Sequence, residues 1–319
     1  MNIEVRKQGK IKKYYLAHSF REGKKVKKIR RYLGANLLPK DINKLREIAE
    51  KIIKEQIESY KIIKDPLKNE LTKKEFDLIK DIEAKREIII NHLSEQEWKI
   101  FTELFTYNTN AIEGSEVNQK EVIEILEENK WPKDIKKSDI SEAYGVAEAV
   151  EFTRKTKEHI SIKLVKKLHY VVFKNSKPFA GKLRQKGIEV AIRDGLGNIV
   201  HIGAPSTRIE GLLEELIDWY KKHKNKYSPL LLASIVHNQF ENIHPFQDGN
   251  GRAGRLLLNN ILLRHKLPPV NIGFKNRREY YNSLHEYQKN GNIKPTLILI
   301  LKEYKLLKKE LGAYKKKKM

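Results

Sequence analysis

From residue 94 to residue 311 the chain is a succession of helix-period segments broken once, and that pattern limits its fold more than any other feature. Apolar residues at three- and four-residue steps predict helices over 94–112, 118–129, 137–157, 161–174, 206–223, 229–242, 251–265, 277–289 and 294–311. Two of these starts carry caps: Asn118 has Glu121 three residues on, and Ser228 precedes Pro229 at a first helical position. The break is 187–204. There Ile188–Ile192 and Ile199–Ile202 alternate in strand fashion around the turn-rich Asp194-Gly195-Leu196-Gly197-Asn198. The expectation is a mainly α architecture with one inserted β-hairpin.

The first 93 residues read differently. Strand-like stretches at Lys13–Phe20 and Lys25–Leu33 flank Arg21-Glu22-Gly23-Lys24, which predicts a small basic hairpin ending at Gly34. Ile42, Leu45, Ile48, Ile52 and Ile53, extended by Ile57, Ile62 and Ile63, predict a helix from Pro39 that Pro66 ends. A second helix is expected over 71–92, the pair making a helical arm with a short coiled-coil pattern. The expected organisation is a basic hairpin module at 1–38, a helical arm at 39–93, a helical domain at 94–311 and a basic tail at 312–319.

Charge is concentrated at the ends. Of a net +24, residues 1–40 hold 13 Lys and Arg against 2 acids, and residues 302–319 hold 8 against 2. Such ends are either solvated lysine-rich surface or a contact for nucleic acid or acidic partners. The absence of cysteine excludes disulfides, thiolate nucleophiles and cysteine-ligated zinc. The longest apolar runs, Leu230–Val236 and Leu297–Leu301, fall far short of the roughly 20 residues of a membrane span. MNIEVRKQGK offers no apolar signal core. A soluble, cytoplasmic protein with no membrane partner is expected.

The chemistry is concentrated in His244-Pro245-Phe246-Gln247-Asp248-Gly249-Asn250-Gly251-Arg252-Ala253-Gly254-Arg255. One helix ends before it and another begins within it, so a loop brings an imidazole and a carboxylate together. Gly249 and Gly251 let backbone pass close to a ligand, and successive N–H groups at a helix N-terminus form an anion site. Arg252 and Arg255, three apart on one face of the first turn, suit more than one phosphate. Asp248 suits Mg²⁺, which at phosphate sites takes one or two carboxylates. His244 is the group there that exchanges a proton near neutrality. A zinc site does not fit: His237 and His244 are seven apart, with no HExxH spacing.

This segment matches, position for position, the signature HxFx(D/E)GNGRxxR of Fic (Fic/DOC) domain proteins, and the resemblance extends over about residues 95–300. It implies a Fic-type helical bundle with a β-hairpin flap, here preceded by the small N-terminal basic hairpin and helical segment. The implied activity is AMPylation: a nucleotidyltransferase moves AMP from ATP to a Ser, Thr or Tyr hydroxyl of a protein target, or of itself, with Mg²⁺. Carried over by residue, His244 resembles the general base and Asp248 the Mg²⁺ ligand bridging α- and β-phosphates. Gly249, Asn250 and Gly251 correspond to the anion hole, Arg252 to the β/γ-phosphate contact and Arg255 to the γ-phosphate contact. Phe246 matches the buried loop anchor. Gly251 stands where the phosphate-transferring Doc branch carries Lys, which favours nucleotidyl transfer.

Thr109-Asn110-Ala111-Ile112-Glu113-Gly114 resembles the family's inhibitory motif (S/T)xxxE(G/N), on a helix over about 94–113 as in the family's second class. The resemblance implies that Glu113 pairs with Arg255 and blocks productive γ-phosphate binding, leaving an autoinhibited enzyme. Thr109 and Gly114 complete that motif. The hairpin residues Glu189, Val190, Ala191, Ile192, Ile199, Val200, His201 and Ile202 correspond to the flap, which aligns a target segment by strand-like main-chain contacts. His201 reads as a packing or surface residue, and His169, on a helical face with Leu164 and Leu168, as a core histidine. Three alternatives stay open: removal of AMP, a donor such as UTP, GTP or a choline nucleotide, and a nucleic-acid-binding regulator acting through the N-terminal hairpin.

Overall fold

Pro229–Ile243 and Asn250–Arg264 hold the most continuously buried sequence in the chain, and they form its centre. The structure, a computed structural model, describes residues 1–22, 25–64, 72–74, 77, 79, 93–188, 190–193 and 199–317. In chain order the strands are β1 (Asn2–Gln8), β2 (Ile11–Glu22) and β3 (Lys25–Ala35), followed by helix α1 (Pro39–Lys64). Helices α2 (Glu95–Ile112), α3 (Gln119–Glu128), α4 (Lys137–Lys155) and α5 (Ile162–Phe173) lead into the short hairpin β4 (Ala191–Arg193) and β5 (Ile199–Ile202). Helices α6 (Ile209–His223), α7 (Pro229–Ile243), α8 (Asn250–Arg264), α9 (Arg277–Asn290) and α10 (Lys294–Lys317) complete it, with single 3₁₀ turns at Ser206–Arg208 and Phe274–Asn276. The architecture is mainly α.

Helix α7 is buried at every position from Leu230 to Ile243, so it lacks the polar stripe of a surface helix. Its polar residues face neighbouring helices. Asn238 Nδ2 donates to Thr296 Oγ1 (3.1 Å) on α10, and Gln239 Nε2 donates to Tyr287 Oη (2.8 Å) on α9. The capped starts read from sequence are built as expected. Asn118 Oδ1 accepts from the N–H of Lys120 and Glu121, and Glu121 Oε2 accepts from Asn118 N–H (2.8 Å).

The N-terminal hairpin is larger than its sequence suggests. It is a three-stranded antiparallel sheet in the order β1-β2-β3. The extra strand, β1, offers only Ile3 and Val5 as an alternating apolar signal, and its pairing with the much longer β2 holds it in place. One face of the sheet turns Leu16 and Ile29 into the core, with Ile3 and Phe20 packed against it. Helix α1 buries Ala49, Ile52 and Ile53 in the same core, so this half of the predicted arm is docked. The second predicted helix, 71–92, lies almost wholly outside the described residues. Among the described residues no helix is long and apolar enough to cross a membrane.

Candidate active site

The loop between α7 and α8 carries the signature, and local chemistry fixes its shape. His244 caps α7 in the left-handed region (φ 51°, ψ 61°), its N–H donating to Phe240 O at 2.9 Å. Asn250 then bridges the loop with both ends of its amide. It accepts from Phe246 N–H (2.8 Å) and donates to Phe246 O (2.9 Å), while the Phe246 ring is fully buried. His169 on α5 stacks on that ring at 3.8 Å between centroids. Gly181 N–H donates to His169 Nδ1 (2.8 Å), so the ring proton sits on Nε2 and is donated to Asp248 O at 2.9 Å. His169 is therefore a core histidine, as its sequence context predicts, and it also clamps the loop backbone.

Gly249 starts α8 at φ 77°. A Cβ there would sit 2.2 Å from the Phe173 ring. Gly249→Ala should therefore cost about 2–4 kcal/mol, from left-handed strain and overpacking together. A urea unfolding midpoint unchanged from the wild type would show that this packing is not required.

A cavity of about 460 Å³ opens over this N-terminus, lined among others by Glu113, His244, Asp248, Gly249, Gly251 and Arg255. His244 is only 13% exposed, and burial pushes its imidazole down to about 4, with the Arg184 charge acting the same way. Its Nδ1 lies 3.3 Å from Glu241 O, a contact that requires the proton on Nδ1 and leaves the lone pair on Nε2. The neutral imidazole is thus set up to accept a proton. Asp248 is held below the usual carboxylate range although burial opposes its charge, because Lys177 Nζ lies 2.7 Å from Oδ2. Its Oδ1 accepts from Gly249 N–H at 2.7 Å.

The two arginines leave α8 in one direction but meet different partners. Arg252 Nη1 pairs with Glu142 Oε2 on α4 and lies 3.3 Å from Asn110 Oδ1, its guanidinium 4.5 Å above the Phe173 ring. Arg255 is 1% exposed. Its Nε donates to Thr109 Oγ1 (2.7 Å), Nη2 to Thr109 O (3.0 Å) and to Glu113 Oε1 (2.7 Å), and Nη1 reaches Tyr280 Oη at 3.4 Å. Glu113 caps α2, and Gly114 follows at φ 91°, where the chain turns away. The carboxylate rests directly on the first turn of α8: a Cβ on Gly251 would meet Glu113 Oε1 at 2.2 Å.

At the hairpin, Ala191 pairs with Ile202 and Ile192 with His201, with a bulge before Arg193 pairs with Ile199. Gly203 N–H donates to Val190 O (3.1 Å), bringing the base of the hairpin to the cavity that Val190 also lines. Glu189 and the 194–198 tip lie outside the described residues.

Several site residues carried no sequence signal. Lys177 and Glu142 lie 71 and 106 positions from Asp248 and are ordinary charged residues in their own segments. Arg184, 4% exposed, donates to the carbonyls of His244, Ile188 and Ala204 (2.8 Å each), tying the hairpin base to the end of α7. Glu241 lies one turn before His244, with Oε2 3.9 Å from His244 Nδ1 and Oε1 buried without a hydrogen-bond partner. Burial raises its carboxyl to about 8, with Arg255 opposing and Glu113 adding to the rise.

These buried groups set an acid limit on the fold. Burial pushes His169 to about 4 and His237 to about 3, as it does His244. Unfolded, all three bind protons below pH 6.5; folded, they do not until about pH 4. Glu241 works oppositely, since its raised pKa favours the folded state as pH falls from 8 to 4.5. Among these four groups the three histidines outweigh Glu241, so between pH 6.5 and 4.5 they leave the unfolded chain with the greater proton uptake and stability falls as the pH falls. Thermal unfolding midpoints that stay level from pH 6.5 to 5 would contradict this.

The fit of a divalent cation can be judged from the donors. Among the described residues no group of three or more His, Asp or Glu side chains gathers to hold a metal. A single ionised carboxylate beside an anion site suits Mg²⁺ completed by phosphate and water oxygens, so Asp248 fits.

Residues 159–262 match the Fic/DOC family model. The chain is 32% identical over 220 residues to protein adenylyltransferase fic-1 of Caenorhabditis briggsae, an alignment covering 66% of this chain and 42% of that protein. It is 31% identical over 195 residues to protein adenylyltransferase Fic of Nematostella vectensis, covering 59% of this chain and 44% of that one. The chain thus spans less than half the length of these relatives. In three dimensions it is similar to Fic-1 (residues 134–508) of Caenorhabditis elegans, with a TM-score of 0.63, 24% identity and 87% of each chain covered. The signature loop, the helices that hold it and these likenesses agree: the chain contains a Fic/DOC-family domain in the Fic fold.

Proposed function

We propose that this protein is an autoinhibited adenylyltransferase that transfers AMP from ATP to a hydroxyl of a protein target. The observation that carries the reading is a neutral His244 and an ionised Asp248 flanking a glycine-lined helix N-terminus that is backed by two buried arginines. In the proposed reaction the target hydroxyl oxygen attacks the α-phosphorus. A new O–P bond forms, the α–β bridging bond breaks and pyrophosphate leaves. His244 Nε2 takes the hydroxyl proton. The α8 N–H groups and Arg252 bind the phosphate chain, with Arg255 at its far end. Bound at Asp248, Mg²⁺ would offset charge on the departing pyrophosphate. The main chain around Val190, at the hairpin base, offers edges for an extended target segment.

Glu113 supplies the inhibition. Its carboxylate takes Arg255 and covers Gly251, so it occupies both the cation and the glycine surface that a terminal phosphate needs. The test is label transfer from α-labelled ATP with Mg²⁺, comparing the wild type with Glu113→Gly, with unlabelled GTP and UTP as competitors and an AMP-modified protein as a second substrate. Label appearing on protein, and displaced by ATP alone, supports the reading. Displacement by another nucleotide reassigns the donor. Loss of AMP from the modified protein, with no addition under any condition, reassigns the direction.

A further inference from the structure

The outer face of the N-terminal sheet does not belong to the active site. Strand register determines what it presents. Arg6 lies opposite Lys13, Glu4 opposite Tyr15, Tyr15 opposite Tyr32, Ala17 opposite Arg30, Ser19 opposite Lys28 and Arg21 opposite Val26. With a side-chain period of two, all of these stand on one face, because Leu16, Phe20 and Ile29 occupy the other against the core. The sheet is therefore anchored on its apolar side and offers a basic side outward.

That outer face carries Arg6, Lys13, Arg21, Lys28 and Arg30 against one acid, Glu4, which pairs with Lys28 and Arg30. Four of the five cations fall at two ends, and Arg30, opposite Ala17, stands between them. Arg6 and Lys13 sit toward the β1–β2 turn; Lys28 and Arg21 sit toward the other end. Lys13 lies six residue steps along β2 from Ser19, the partner of Lys28, which is about 20 Å of strand. Between the two ends lie Tyr15, Ala17 and Ser19. Arg6 covers the Tyr15 ring at 5.3 Å and Tyr32 packs on it at 5.3 Å, which leaves Tyr32, 51% exposed, as the one open ring of the pair. A stacking platform for single strands takes successive bases on several open rings. Here the centre holds one open ring, a buried Ala17 and Arg30, with cations at both ends, so positive charge runs the length of a face of β-strands, which suits a duplex whose two phosphate walls border a major groove about 12 Å wide that admits β-strands.

We propose that the outer face of the β1–β2–β3 sheet binds double-stranded DNA, with its strands toward the major groove and its basic ends on the two phosphate backbones. This function is independent of nucleotide transfer. The experiment uses the full chain and a fluorescently labelled DNA duplex of about 20 base pairs, with anisotropy read from about 50 to 200 mM salt. The affinity should fall linearly in log–log form. The Arg6→Ala/Lys13→Ala/Arg30→Ala protein should bind at least about tenfold more weakly, with a salt slope shallower by about 2 to 3. Lys302→Ala/Lys305→Ala/Lys309→Ala removes the same charge from α10 and should leave binding intact. Circular dichroism of both variants checks that the fold persists. Absence of binding at the lowest salt, equal losses in the two triple variants, or a single strand bound as tightly as the duplex would each overturn the proposal.

Discussion

Glu113→Gly should transfer AMP about 10- to 100-fold faster than the wild type at equal ATP. The magnitude follows from what the substitution releases. Arg255 Nη2 and Glu113 Oε1 make a charge-assisted hydrogen bond of 2.7 Å, with the guanidinium 1% exposed. Bonds to charged groups contribute about 1.5–3 kcal/mol, and a terminal phosphate must displace this one to reach Arg255. The carboxylate also leaves the surface of Gly251, where its oxygen lies 2.2 Å from a would-be Cβ. A second readout separates released inhibition from general loosening. Without Glu113 a buried guanidinium loses its counter-charge, so the nucleotide-free variant should melt earlier than the wild type. Saturating nucleotide should raise its melting point more than it raises the wild type's, because ligand stabilisation grows with affinity. Equal transfer rates and equal thermal shifts would refute the inhibitory role.

The parts of this site that were legible in the sequence are those that physics places close together. His244, Asp248, Gly249 and Asn250 lie within seven residues because one helix ends and the next begins there. Spacing alone reveals that. Asn118, Ser228 and the helices they cap were equally readable, since capping is local. Lys177, Glu142 and Arg184 were not. Each acts on the loop from a different helix or turn, and each looks like any other charged residue where it stands. Burial was also hidden: Glu241 and His237 lie on α7, whose apolar run identifies a core helix without saying that its polar residues are enclosed. Strand β1 could have been found, because Ile3 and Val5 alternate with charged neighbours opposite the longer pattern of β2.

His244→Ala, placed in the Glu113→Gly background, should lower transfer by about 10²- to 10⁴-fold, the range for a positioned general base. The substitution has a structural side effect that must be separated from chemistry. His244 holds φ 51° at the end of α7, and alanine there carries left-handed strain that shifts the loop it begins. Asparagine tolerates that conformation better and keeps a polar side chain, but it has no basic lone pair comparable to imidazole. His244→Asn should therefore melt closer to the parent than His244→Ala while losing transfer to the same extent. Nucleotide binding should survive in both, because the α8 N–H groups and the two arginines proposed to hold phosphate lie beyond position 244. If His244→Asn instead recovers much of the rate, the residue acts by shaping the loop, and the proton must leave by another route.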